Sequence, residues 1–136
     1  MANIQKTDSE ISKFVEFLHN NGKIKAFLED IHLITLDVAG LYYAENIDKI
    51  FPKIEKGDTL NLFREKDNKY DKYAILVKFD GEKIGYVPRR HNKILANLMD
   101  AGKELYGIVE EISVEDGVYE GAGDFKYLKF KIFLKE

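Results

Sequence analysis

The chain has 136 residues, a length typical of one domain, and 45% of them are hydrophobic, which is enough for a core and too apolar for disorder. Its 24 acidic and 21 basic residues give a net charge of -3, which argues against a protein that coats nucleic acid by bulk charge. The net charge does not exclude a local basic surface. The absence of cysteine excludes disulfides and thiolate metal sites and favours a reducing compartment.

The N-terminal segment has a helical pattern. Within residues 8–28, the apolar Ile11, Phe14, Val15 and Leu18 recur at helical spacing. The segment lacks the order of a signal peptide, and no apolar run in the chain reaches the roughly 20 residues of a membrane span. We therefore predict an N-terminal helical extension over residues 1–30 and a cytoplasmic protein without membrane contact.

From residue 31 onward, short runs of β-forming residues alternate with turn residues. Asp80 and Gly81 predict a tight hairpin turn, because Asp-Gly tolerates the positive φ that such turns need. The final run places apolar and lysine-bearing positions on opposite faces of a strand. The runs that predict strands are IHLITLDVAGLYY, TLNLFRE, KYAILVKF, EKIGYVP, ELYGIVEEISV and YLKFKIFLKE.

Two helical segments interrupt this β pattern. A short helical turn ends before Pro52, since proline disfavours helix in the residue before it. Residues 91–101 predict a longer helix that ends at Gly102, a good C-terminal cap. Its expected apolar stripe consists of Ile94, Leu95, Leu98 and Met99.

This element order predicts a mainly β (α+β) fold. Antiparallel strands with short links favour a closed or nearly closed barrel, because closure removes exposed strand edges. We predict a small OB-like or SH3-like β-barrel of about six strands with one inserted helix over residues 31–136.

A concentrated basic segment lies late in the chain. Residues 83–99 contain Lys83, Arg89, Arg90 and Lys93 and no acidic residue. Basic residues beside tyrosines suit a surface that binds single strands, because phosphates and bases are met together. The alternative interpretation is a solvated helix start with arginines on its surface.

Three segments, in this order, resemble the HIRAN domain family. The first is VAGLYY (38–43), and the second is LFREKDNKYDKYAILV (62–77). The third is KIGYVPRRHNKILANLMDAG (83–102). The resemblance covers about residues 33–134, and the second segment is the most specific of the three.

The resemblance implies a function. HIRAN domains occur fused to DNA-remodelling helicases and as stand-alone bacterial proteins. In the family, the barrel face captures the 3′ end of a single DNA strand: aromatic rings stack on the terminal bases, an aspartate accepts a hydrogen bond from the 3′-hydroxyl, and basic residues hold phosphates. Transferred to this sequence, Tyr70 and Tyr43 are stacking residues and Asp71 recognises the hydroxyl.

The same transfer assigns the remaining site residues. Tyr42 stands where the helicase-linked members have arginine, and Tyr86 where they have histidine. Arg89 matches a basic position, and Arg90 and Lys93 follow it. An aromatic residue of the last hairpin also contributes in the family, and its candidates here are Tyr119 and Phe125.

Structural interpretations exist for several of these residues. The segment around Asp71 is rich in turn formers, and aspartate commonly binds the backbone in such turns. Tyr70 has the alternative of packing against the hairpin. If Tyr42 and Tyr43 lie on a strand, one of them faces the core.

The sequence favours a non-enzymatic binding module without a cofactor. Its histidines, His19, His32 and His91, lack metal-ligand spacing, and no Ser-His-Asp or Cys-His set is recognisable. The expected partner is single-stranded DNA, in DNA repair or processing, with a helicase or nuclease as a further partner. RNA is an alternative, since a stacking platform accepts either nucleic acid. The runner-up is a protein-interaction or regulatory module on the same barrel, and the sequence predicts no oligomeric state.

Overall fold

The computed structural model of the protein describes residues 10–15, 29–115 and 125–136. Residues 10–15 are helical and are called α1; the rest of the predicted N-terminal helix lies outside the described residues. Turns of 3-10 helix span Leu41–Tyr43 and Phe51–Lys53. The other elements are β1 (Ile31–Asp37), α2 (Ile47–Ile50), β2 (Thr59–Arg64), β3 (Ile75–Phe79), β4 (Glu82–Tyr86), α3 (Arg89–Asp100), β5 (Leu105–Glu115) and β6 (Phe125–Leu134).

Backbone contacts divide the chain into two compact units. One consists of residues 32–135, and the other of residues 1–31 together with residue 136. In the second of these, the Glu136 amide donates to Asp30 Oδ1 at 3.0 Å. The division of the sequence into an extension over residues 1–30 and a barrel over residues 31–136 stays a prediction.

The six strands form one sheet in the order β1-β6-β5-β2-β3-β4. The pairs β5–β6, β5–β2, β2–β3 and β3–β4 are antiparallel. At the β3–β4 hairpin, Asp80 and Gly81 form a tight turn with φ angles of 49° and 81°, whereas residues 65–74 link β2 to β3. The predicted mainly β fold and its hairpin turn are confirmed.

The sheet is open, and its two edge strands meet at one point. Just after β1, Ala39 forms an isolated bridge with Tyr86 at the end of β4, with both N–H···O distances at 2.8 Å. We call this pair of hydrogen bonds the seam. A Cβ atom on the adjacent Gly85 would lie 2.4 Å from the Ala39 carbonyl oxygen, so only glycine permits this approach. The fold is therefore barrel-like, as predicted.

The core lies on the inner face of the curved sheet. In β3, Ile75 and Val77 are fully buried, Leu76 between them is also buried, and Lys78 is half-buried. In β6, Phe130 and Ile132 are fully buried. The alternation predicted for the last strand is confirmed.

The first strand is shorter than predicted. It ends at Asp37, and Gly40 adopts a left-handed conformation with φ 76°, which turns the chain into the 3-10 turn Leu41–Tyr43. Leu41 is buried there, whereas Tyr42 and Tyr43 are both exposed. The expectation that one of these tyrosines faces the core is wrong, because they stand on a turn and not on a strand.

Helix α3 begins at Arg89, two residues before its predicted start at residue 91. Gly102, with φ 91°, ends it as predicted, and the Gly102 amide donates to the Met99 carbonyl at 3.0 Å. The predicted stripe is partly wrong: Leu95 is buried, but the Ile94 side chain is 73% exposed. The buried face is completed by Asn92 and Ala96.

Candidate nucleic-acid interface

The loop between β2 and β3 carries Tyr70 and Asp71, and two side chains shape it. Asn68 Oδ1 accepts hydrogen bonds from the amides of Tyr70 (2.9 Å) and Asp71 (3.0 Å). Asp71 Oδ1 then accepts one from the amide of Tyr73 at 2.9 Å. Such turns fix the backbone without regular structure. They leave the Tyr70 side chain on the surface, where the residue is 87% exposed.

Arg64, at the end of β2, anchors the far half of this loop. Its guanidinium donates to the carbonyls of Ala74 (2.7 Å) and Lys72 (3.0 Å). It also donates to both carboxylate oxygens of Asp100, at 2.9 and 3.2 Å. The hydrogen bond from Arg64 lowers the pKa of Asp100, and the charges of Arg64 and Lys66 lower it further. One side chain thus joins β2, the loop and the end of α3.

The Asp71 carboxylate has structural partners on both oxygens. Besides the Tyr73 amide on Oδ1, Oδ2 accepts a hydrogen bond from Asn92 Nδ2 at 2.7 Å and lies 3.5 Å from Arg89 Nε. The Asp71 side chain is only 15% exposed. An ionised carboxylate offers about four lone-pair sites, so three donors leave room for one more. The turn-forming role considered for Asp71 is therefore real, and it leaves acceptor capacity at the surface.

A pocket of about 300 Å³ opens beside this carboxylate, at the seam. Arg89 Nη2 donates to the Tyr70 carbonyl at 2.8 Å, which holds the guanidinium at its rim. Four of the predicted site residues thus lie together, because the pairing of β3 with β4 places Tyr86 and the start of α3 beside the loop that precedes β3. The pocket is lined by Ala39, Asn68, Tyr70, Asp71, Ala74, Tyr86, Val87 and Arg89.

Tyr86, at the end of β4, lines the pocket and connects it to the sheet. Its hydroxyl donates to Glu65 Oε1 at 2.8 Å and accepts from Lys83 Nζ at 3.1 Å. The same Lys83 ammonium lies 4.7 Å from the centroid of the Tyr86 ring. Glu65 Oε1 also accepts from Asn68 Nδ2 at 3.1 Å, so the Tyr86 hydroxyl and the loop share one acceptor.

Tyr42 and Tyr43 do not line this pocket. Tyr43 is 92% exposed, so its ring is accessible to a ligand but does not form part of a pocket wall. The Tyr42 hydroxyl accepts a hydrogen bond from the amide of Lys126 at 3.2 Å, and its ring centroid lies 6.0 Å from that of Phe125. The structure therefore pairs Tyr42 with one of the two predicted hairpin aromatics; the other, Tyr119, lies outside the described residues.

The predicted basic segment divides between two surfaces. Arg89 borders the pocket, whereas Arg90 and Lys93 border a separate groove of about 460 Å³ between β1 and α3. Consecutive residues of a helix point about 100° apart, so Arg89 and Arg90 cannot serve one surface equally. The groove is lined by Leu33, Ile34, Arg90, His91, Lys93, Ile94, Leu95 and Leu98.

Sequence reasoning missed the residues that hold the site in place. Asn68, Arg64 and Glu65 all belong to the most specific segment of the family resemblance, but their hydrogen bonds became visible only in the structure. Asn92 gave a usable signal: it occupies the same helical face as Leu95 and Ala96, and a polar residue at a buried position needs a partner. That partner is Asp71.

Within residues 10–15, 29–115 and 125–136, no group of three or more His, Cys, Asp or Glu side chains is placed to hold a metal ion. None of the helices in these ranges combines the length and the apolar character that a membrane crossing needs.

Two solved structures are similar to the chain. A protein from Lactobacillus plantarum superposes with a TM-score of 0.66 and 30% identity, over 78% of this chain and 95% of that one. The HIRAN domain of human HLTF superposes with a TM-score of 0.52 and 25% identity, over 76% of both chains. A search of the curated proteins gives no match.

The family model of the HIRAN domain matches residues 31–135. This match covers most of the chain, includes all six strands and α3, and confirms the resemblance found in the three sequence segments. The chain therefore belongs to the HIRAN domain family.

Proposed function

We propose that the protein is a nucleic-acid-binding module that captures the 3′-hydroxyl end of single-stranded DNA. The observation that carries this proposal is the pocket at the seam, where an exposed Tyr70, the Asp71 carboxylate and the Arg89 guanidinium surround one opening. These are the residues that match the family's stacking, hydroxyl-binding and phosphate-binding positions.

The chemistry of the pocket supports selectivity for a hydroxyl end. Asp71 keeps capacity for one further donor, which a terminal hydroxyl supplies and a terminal phosphate does not. Arg89 attracts the phosphate on the 5′ side of the terminal nucleotide. The exposed Tyr70 ring offers a stacking surface that tolerates any base, at about 1–3 kcal/mol per base. The pocket therefore reads an end without reading a sequence.

We expect the binding to be weak and sensitive to salt. The net charge of the chain is -3, and few basic residues lie at the pocket, so affinity at physiological salt is about micromolar or weaker. In the cell, such a module directs a helicase or nuclease partner to strand ends during DNA repair or processing. A cytoplasmic location stays a prediction from the sequence.

The test is fluorescence anisotropy with a labelled single strand ending in a 3′-hydroxyl, the same strand with a 3′-phosphate, and a blunt duplex. We expect the 3′-hydroxyl strand to bind best. Asp71→Asn retains the oxygen that accepts from the Tyr73 amide but removes the charge, so it should reduce the discrimination against the phosphate. Equal binding of all three ligands by the natural protein would refute end capture.

Adjacent arginines provide a matched pair of variants. Arg89→Gln should weaken binding of the 3′-hydroxyl end by about ten-fold, the effect of a lost charge-assisted phosphate contact. Arg90→Gln removes the same charge one residue later, beside the separate groove, and should change affinity for all ligands slightly and alike. If both variants lose the same affinity, the pocket is not the binding site.

The groove between β1 and α3 favours a second candidate function, a protein-interaction module. Its walls are apolar and its exposed Ile94 is unusual for a solvated helix face, while Arg90 and Lys93 give it a positive rim. Failure of every nucleic acid to bind, combined with a partner that is lost on Ile94→Asp, would favour this function.

A further inference from the structure

The outer face of β2, β3 and β4, on the side of the sheet opposite the core, carries two rows of side chains. The strand registers place Phe63 opposite Leu76, and Leu76 opposite Tyr86. The neighbouring row, displaced by one pleat, places Asn61 opposite Lys78, and Lys78 opposite Lys83. We call these the aromatic row and the cationic row. An apolar and aromatic row, in which Leu76 is buried, thus crosses three strands beside two lysines on β3 and β4.

Lysine and aromatic side chains of the two rows contact each other in pairs. Lys78 Nζ lies 4.9 Å from the centroid of the Phe63 ring, and Lys83 Nζ lies 4.7 Å from that of Tyr86. Phe63 is nevertheless 47% exposed, so one face of its ring stays accessible. Each pair therefore offers a ring on which a base can stack and an ammonium group that can meet a phosphate.

The cationic row is electrostatically unfavourable as it stands. Lys78 and Lys83 are directly opposite each other on neighbouring strands, and like charges in that position are destabilising. In the described part of the chain, neither ammonium forms an ion pair with a carboxylate. The nearby Glu65 carboxylate accepts from the Tyr86 hydroxyl and from Asn68 instead. A polyanion laid along this row would relieve the repulsion.

The two rows are continuous with the pocket. Tyr86 ends the aromatic row and also lines the pocket, and Lys83 contacts the Tyr86 hydroxyl at 3.1 Å. A strand whose 3′ end lies beside Asp71 can therefore pass over Tyr86 onto Phe63 without leaving the protein surface. Its phosphates would then follow Lys83 and Lys78.

We propose that the outer face of β2, β3 and β4 is a second subsite, which binds the nucleotides on the 5′ side of the captured end. The proposal rests on the proposed function and extends it from one terminal nucleotide to a longer footprint. Phe63 is its stacking residue, and Lys78 is its phosphate contact. Binding there is independent of base sequence, because a ring and an ammonium group distinguish no base.

The test compares a trinucleotide with a decanucleotide of the same base, both ending in a 3′-hydroxyl, by anisotropy at several salt concentrations. The natural protein should bind the longer strand more tightly. Phe63→Leu keeps an apolar side chain but removes the ring, and should weaken the decanucleotide at least about five-fold. Lys78→Gln should weaken it about three-fold and reduce the salt slope by about 0.7. Neither variant should change the affinity for the trinucleotide.

Matched controls keep the assignment specific. Ile31→Ala alters an exposed apolar residue at the other end of the strand order, and Lys56→Gln removes an exposed lysine from the turn before β2. Both should bind the decanucleotide like the natural protein. Thermal unfolding of each variant confirms that the fold is retained.

The outcomes separate this proposal from the function on which it rests. If the decanucleotide binds no better than the trinucleotide, or if its advantage survives both Phe63→Leu and Lys78→Gln, the second subsite is refuted while end capture stands. If the 3′-hydroxyl and 3′-phosphate trinucleotides bind equally, end capture is refuted. A length advantage that still requires Phe63 and Lys78 would then support the outer face as a binding surface for internal nucleotides.

Discussion

Two segments of the protein present exposed tyrosines, and the structure fixes them by different means. The loop that carries Tyr70 has a few backbone hydrogen bonds of its own and is held in addition by the side chains of Arg64 and Asn68, which bond its backbone at several points. The turn that carries Tyr43 is held by the backbone: Gly40 adopts φ 76°, and the Tyr43 amide donates to the Gly40 carbonyl at 3.0 Å. The stability of the loop should therefore depend on single polar side chains, and that of the turn on the left-handed conformation of Gly40.

The largest expected effect concerns the loop. Arg64→Met removes the donors to the Ala74 and Lys72 carbonyls and leaves Asp100 without its guanidinium partner. Because Arg64 is nearly buried, we expect a loss of about 2–3 kcal/mol in the free energy of unfolding, measured by urea denaturation. End capture should be weakened as well, since the far half of the loop then loses two of its anchoring hydrogen bonds.

The control for this change is Lys66→Met. Lys66 is exposed and lies 3.7 Å from the same Asp100 carboxylate, but it bonds no loop carbonyl. Its loss should change stability by less than about 0.5 kcal/mol. If Lys66→Met and Arg64→Met cost the same, the charge at Asp100 matters and the loop anchoring does not.

A smaller effect is expected in the turn. Gly40→Ala places a Cβ in open space, so any cost comes from the left-handed φ alone, about 1 kcal/mol in the free energy of unfolding. Gly40→Asn should recover part of that loss, because asparagine tolerates this conformation. Equal losses for alanine and asparagine would show that the turn is not limited by its backbone conformation.

The smallest effect concerns acid stability and Asp100. Its pKa is lowered in the folded protein, chiefly by the hydrogen bond from Arg64, so its contribution is complete above the unfolded value near pH 4 and is lost as the pH falls further. The stability difference between the natural protein and Asp100→Asn should therefore be constant from neutral pH to about pH 5 and shrink below about pH 4. Urea midpoints measured across this range provide the check, and a difference that grows in acid would contradict the sign.

Much of the fold was predictable because it is local. Alternation in β6 predicted which of its side chains are buried, and the Asp80 and Gly81 turn predicted the hairpin between β3 and β4. The seam between the two edge strands was not predictable. It joins residues 39 and 86, and nothing in the sequence near either residue shows the contact except the family pattern.

The sequence predicted which residues belong to the candidate site, but not which of them lie together. The family pattern selected Tyr70, Asp71, Tyr86 and Arg89, which the structure brings together. The run of β-forming residues placed Tyr42 and Tyr43 on a strand, whereas the strand ends at Asp37 and the left-handed conformation of Gly40 turns the chain before both tyrosines. The prediction also treated Arg89 and Arg90 as one patch, although helical geometry alone directs consecutive residues apart.

The seam has a thermodynamic consequence. Ala39 is at once one half of the bridge that joins the edge strands and part of the pocket wall, so the pocket wall is complete only when the seam is formed. A ligand in the pocket therefore selects that state by mass action, and at one hundred times its Kd it contributes about 2.7 kcal/mol. On the proposed function, formation of the seam and binding of a strand end would be linked equilibria, because Ala39 takes part in both the seam and the pocket wall.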